Sequence, residues 1–156
     1  MKTPILKFKQ GQHEYISFVT TFENLERLGE VLIYQVHPQG YQRAPNPVHI
    51  NRIKKFVLGN VESFKLPTSI ILGTSRKNID PFIEKSELEV SKIDLNSIHS
   101  KVFRIVDGQH RLKGLSKALE EVKPEQRNSI LEYKFNVVCI VTDDNNRSVE
   151  LDILPI

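Results

Sequence analysis

The stretch VFRIVDGQHRLKGLSKALEEV (102–122) constrains the fold more than any other. VFRIV (102–106) is a nearly continuous apolar run, the pattern of a strand buried on both faces. Leu112, Leu115, Ala118, Leu119 and Val122 then recur at helical spacing, and Pro124 marks the end of that helix. Five residues, Asp107 to Arg111, separate the two patterns, and after Asp107-Gly108 the helix begins within a residue or two. A buried strand therefore has to turn straight into a helix.

That junction concentrates chemistry. Gly108 permits a tight turn and the close approach of a backbone or a ligand. The backbone N–H groups of Gln109, His110 and Arg111 then stand at a helix N-terminus, which attracts phosphate through its donors and its partial positive charge. His110 and Arg111 add side-chain donors, and arginine grips a phosphate with two parallel hydrogen bonds. Asp107 has a simpler reading, as the cap of the helix.

The rest of the chain supplies strands and helices in mixed order. ILKFKQ (5–10) and EYISFVT (14–20) read as a hairpin. Thr21 caps a short helix with Phe22, Leu25 and Leu28 on one side, and Gly29 ends it. LIYQV (32–36) reads as a strand, followed by the loop HPQGYQRAPNP. Asn46 and Pro47 open a helix over 47–58 carrying Ile50, Ile53, Phe56 and Val57. Strands are expected at 66–73, 88–94 and 134–141, and a polar loop at 74–87. This order predicts an α+β fold with a mixed sheet in a single domain over 1–156. The apolar ending VELDILPI reads as a truncated C-terminus or an end docked on the core.

Composition excludes several classes. The chain has 156 residues, 39% hydrophobic and 26% charged, which argues against disorder. No apolar run approaches a membrane span, and MKTPILKFKQ lacks the features of a signal peptide, so a cytoplasmic setting without membrane contact is expected. The single cysteine, Cys139, excludes an intramolecular disulfide and a multi-cysteine zinc site, and its apolar strand reads as core. His13, His37, His49 and His99 do not form a metal set by spacing. The net charge of +3 is small, but residues 1–60 carry eight Lys/Arg against four Asp/Glu and residues 124–156 carry three against six. The front half can face an anion. Arg52, Lys54 and Lys55 on the 47–58 helix either lie along a DNA backbone or form a solvated basic face.

The pentapeptide Asp107-Gly108-Gln109-His110-Arg111, followed by a helix with LKGL, resembles the signature of the DGQHR-domain family, which includes the DndB proteins of bacterial DNA phosphorothioation systems. The upstream Tyr41-Gln42-Arg43, followed by a helix and a Leu-Pro-led strand, is similar in type and suggests a second functional loop. The family in turn resembles the ParB/sulfiredoxin-like superfamily, a small mixed sheet with packed helices in which a strand–turn–helix unit binds nucleotide phosphates. Sulfiredoxin-like members carry a cysteine within this turn. Here Gln109 stands at that position, which argues against thiol chemistry. The motif is also similar to the DGQQR-type box of NTP-dependent restriction proteins, with His110 in place of a glutamine.

The resemblance implies a site for an NTP, ATP first, with Mg²⁺. Gly108, Gln109, His110, Arg111, Gln42 and Arg43 would surround the nucleotide. Arg111 would hold a phosphate, Gln109 would read a base or sugar edge, and Arg43 would complete the anion site. Asp107 would position Mg²⁺ or a water, and His110 would donate to a phosphate or act as acid or base, making these two the catalytic candidates if the domain is an NTPase. Four functions stay open: a nucleotide-binding domain of a DNA-modification or defence system, with or without NTP hydrolysis, a non-catalytic DNA-binding transcriptional regulator of the modification genes, an NTP-dependent restriction factor, and a protein-interaction domain that keeps the pocket for its shape alone. The partners implied are DNA, modification-system proteins and the nucleotide.

Overall fold

The computed structural model describes residues 2–31 and 46–143. Tyr41, Gln42, Arg43, the strand expected at 32–36 and the apolar tail lie outside the described residues.

A six-stranded sheet forms the centre. Its hairpin strands are β2 (Leu6–Gln10) and β3 (His13–Thr21), after the short β1 (Thr3–Pro4). Thr21 accepts from the backbone N–H of Asn24 at 3.2 Å and so caps α1 (Phe22–Leu28), which buries Phe22, Leu25 and Leu28. β4 (Gly29–Glu30) follows, then α2 (Pro47–Gly59), β5 (Ile70–Ser75), α3 (Arg76–Ile79), β6 (Ile83–Glu84) and β7 (Lys92–Ile93). The last elements are β8 (Phe103–Asp107), α4 (Gln109–Glu121), α5 (Arg127–Leu131) and β9 (Lys134–Thr142).

The large sheet has the order β2-β3-β9-β5-β8-β4, and β1-β7-β6 make a small second sheet. β3 pairs antiparallel with β9, β9 parallel with β5, β5 antiparallel with β8, and β8 parallel with β4. The fold is α+β with a mixed sheet, as the element order predicts. The two apolar runs explain their own positions: β9 and β8 each have a neighbour on both sides, and Phe103, Ile105, Phe135, Val137 and Cys139 are buried. Leu112, Leu115 and Ala118 of α4 join the same core.

Three sequence expectations change. The strand expected at 66–73 runs instead from Ile70 to Ser75. The supposed loop at 74–87 contains α3 and β6, anchored by the burial of Ile79. The strand expected at 88–94 shrinks to Lys92–Ile93. Leu88 is 97% exposed and Val90 48%, so the apolar alternation there has no layer to pack against.

Candidate functional site

A single residue separates β8 from α4. That residue, Gly108, has φ +113° and ψ 6°, a conformation that L side chains rarely adopt. A Cβ built on it would also lie 2.5 Å from Ile70 Cδ1. The backbone conformation is what favours glycine here, and a Cβ would in addition force the end of the Ile70 side chain to shift. β8 arrives with a register shift: Ile71 pairs with Asp107 and Leu72 with Ile105, leaving Val106 as an extra residue. Such bulges re-aim a strand end.

Asp107 does not cap α4. The N-cap position is Gly108, which has no side chain to offer the helix. The Asp107 side chain is 65% exposed, with its carboxylate 3.8 Å from Arg111 Nη2.

Arg111 is held in place by the protein. Its Nη1 donates to Thr68 O at 2.5 Å and to Thr68 Oγ1 at 2.6 Å, and Nη2 donates to Ser69 O at 3.0 Å. The antiparallel β5–β8 pairing brings the residues just before β5 beside the first turn of α4, which supplies these acceptors. Burial lowers the Arg111 pKa from its usual value and Asp107 opposes the shift, yet a guanidinium keeps its charge. Arg111 is a fixed positive charge beside the turn and a brace between α4 and β5.

His110 couples two helices. Asn46 donates its backbone N–H to His110 Nε2 at 3.2 Å, while the Asn46 side chain accepts from Val48 N–H at 3.0 Å and His49 N–H at 3.3 Å to cap α2. The His49 and His110 rings meet edge to face, with centroids 4.8 Å apart. Further along, Gly114 lies against Ile50 and Ile53, and Lys54 pairs with Glu121 at 2.7 Å. The contacts rise in step along both helices, so α2 and α4 run parallel with their N-termini side by side.

The result is a cleft of about 280 Å³ lined by His49 and residues 106–111. Two helix N-termini, each equivalent to roughly +0.5 charge, open beside it with the Arg111 guanidinium. Asp107 is the one carboxylate in its lining among the described residues. Gln109 is buried and also lines a second cleft, of about 220 Å³, with Glu26, Glu30, Lys101 and Lys113. Among the described residues no group of three or more His, Cys, Asp or Glu is placed to hold a metal ion. Asp107 alone fits Mg²⁺ only together with phosphate oxygens, a usual arrangement for that ion.

Burial, and next to it His49, lower the His110 pKa below the ordinary histidine value, against the pull of Asp107. A neutral ring suits the geometry, because Nε2 must be unprotonated to accept from Asn46. The sign of the pH dependence follows. With a folded pKa below the unfolded one, the unfolded state takes up more protons, so this contribution is intact above about pH 6.5 and is lost as pH falls through the folded value. We expect chemical denaturation to show stability dropping on acidification from about pH 7 towards 5, and His110→Gln to flatten that drop.

Of the expected site residues, Asp107, Gly108, Gln109, His110 and Arg111 are brought together. Gln42 and Arg43 lie outside the described residues. On α2, Arg52 and Lys55 are positioned away from this cleft, with Arg52 exposed, while Lys54 is drawn to Glu121. Sequence reasoning missed His49, Thr68 and Ser69. His49 had one visible signal, its place in the first turn of a capped helix, matching that of His110 in α4.

No helix among the described residues is long and apolar enough to cross a membrane. Comparison with curated proteins and with solved structures gives no match. The family model for DndB, described as DNA-sulfur modification-associated, matches residues 3–151, a span that includes both sheets, the Asp107–Arg111 turn and the paired helices, and the chain therefore belongs to the DndB family.

Proposed function

We propose that this domain binds a nucleotide by its phosphates at the joined starts of α2 and α4, and that it does so in the service of DNA phosphorothioation. One observation carries the reading. Two parallel helices present their N-termini to one cleft, across a turn whose N-cap residue is the glycine Gly108. Like ends of two helix dipoles repel, and an anion between them relieves the repulsion. The resemblance of the turn to nucleotide-binding units of the ParB/sulfiredoxin-like superfamily supports a nucleotide over a simple anion.

The residues divide the work. Backbone N–H groups at the start of α4 meet the phosphate, Arg111 supplies fixed positive charge, and Gln109 reaches towards the sugar or base from between the two clefts. Asp107 is the group that would share Mg²⁺ with the phosphates, and that ion would offset their charge. Gln42 and Arg43 shortly precede Asn46, the α2 cap, in the chain, and the reading assigns them to the same anion. Binding is favoured over hydrolysis, because the Nε2 of the acid–base candidate His110 is already occupied by the Asn46 N–H.

The test is thermal unfolding of the full chain with ATP, CTP and GTP, each with and without Mg²⁺. At roughly a hundredfold excess over Kd, one nucleotide should raise the midpoint by roughly 5–10 °C. Arg111→Ala should lose most of that rise while remaining folded by circular dichroism. A folded protein that responds to none of the three contradicts the reading.

A second reading, DNA binding by a regulator, draws on the basic residues Arg52 and Lys55 of α2. DNA affinity that falls steeply with salt, without any nucleotide response, would favour it.

A further inference from the structure

The six-stranded sheet ends on one side at β2. All five of its residues are exposed, and it has β3 as its single sheet neighbour among the described residues. Its side chains alternate. Leu6 is 63% and Phe8 39% exposed on one face, with Phe8 stacked on Tyr15 across the hairpin at 5.1 Å. Lys7 and Lys9 occupy the other face. Beside the strand runs a cleft of about 370 Å³, which Lys85 and Arg76 also line, together with two acidic residues, Glu14 and Asp80, so that basic groups outnumber acidic ones in its wall. Arg76 is paired with Glu14 and Asp143. Lys9 makes a loose 3.9 Å contact with Glu14, and Lys7 and Lys85 have no carboxylate partner among the described ion pairs.

We propose that β2 receives one more strand, an extended segment of a partner protein in which acidic and apolar residues alternate. An exposed edge offers main-chain hydrogen bonds to any strand, and side chains decide which strand is accepted. Lysines at alternate positions repel a basic strand, including β2 of a second copy, and favour carboxylates directly opposite. Leu6 and Phe8 ask for apolar side chains on the other face of the same strand. The charge complementarity selects an acidic strand, and the period of two selects alternation. This surface is separate from the cleft at α4, so it stands or falls independently of nucleotide binding.

The probe is a synthetic peptide of the proposed pattern, Thr-Val-Glu-Val-Asp-Val, a sequence that does not occur in this chain. The full chain is titrated with it while amide exchange is followed at residues 6–10. Binding with slowed exchange at β2 is expected. Lys7→Glu with Lys9→Glu should weaken it about tenfold, and the peptide with lysines in place of its two acidic residues should restore it to that variant. The proposal is overturned if the peptide gives neither binding nor protection, or if charge reversal leaves binding unchanged. An oligonucleotide that protects β2 where the peptide does not would overturn it too, by assigning this edge to nucleic acid.

Discussion

Gly108→Ala lowers stability by about 3 kcal/mol, and the loss divides into two parts that can be measured separately. The left-handed backbone at φ +113° costs an L residue roughly 1–2 kcal/mol. The added methyl would sit 2.5 Å from Ile70 Cδ1, and Ile70 is fully buried, so overpacking adds roughly 1–3 kcal/mol. The unfolding midpoint should fall by roughly 6–12 °C. Ile70→Val removes the clashing Cδ1 and keeps the rest of the side chain. In that background the alanine should cost its conformational part and a smaller contribution from Arg111 Nη2, 3.3 Å from the new Cβ, a sum that denaturant titration of the double-mutant cycle resolves. A Gly108→Ala protein as stable as the parent would show that the turn is not the one described.

Gly114→Val should cost about as much, ~3 kcal/mol, for a different reason. Gly114 is where α4 touches α2: a Cβ there would meet Ile53 Cγ2 at 2.4 Å and Ile53 Cβ at 2.7 Å. Rotation about χ1 can move Cγ2 but not Cβ, which the backbone fixes, so the helices must separate. Separation acts on the site as well as on stability. The Asn46–His110 hydrogen bond, 3.2 Å long, holds the two N-termini together and weakens as they part. Proton NMR of the imidazole should show His110 titrating closer to the ordinary histidine value in Gly114→Val. Ile53→Ala removes the nearest atom, so the cost of the valine should shrink in that background.

The turn is legible in the sequence because its determinants are local. An apolar run, Asp107-Gly108 and a helical period follow one another without a gap, and each residue type has a physical reason to be there. The roles of its neighbours are not local. Arg111 is legible in the sequence as a cation at the turn, but its bracing is not, because the β5–β8 register places Thr68 and Ser69 within its reach and a pairing as distant as Ile71 with Asp107 cannot be read from spacing. Similarly, His49 reads as an ordinary first-turn histidine until Gly114 lets α2 lie against α4 and sets His49 beside His110. The expected strand at 88–94 fails in the opposite way. Its alternation is present, but Leu88 and Val90 find nothing to cover them.

The central claim is that phosphate is bound where α4 starts. Its most direct measurement is the amide NMR spectrum of the full chain during titration with ATP, and in parallel with inorganic tripolyphosphate. The account predicts saturable shifts concentrated at Gly108, His110 and Arg111, with smaller ones at Val48 and His49, and none along β2. Saturable binding that leaves those amides unmoved, or shifts centred elsewhere on the sheet, would contradict it.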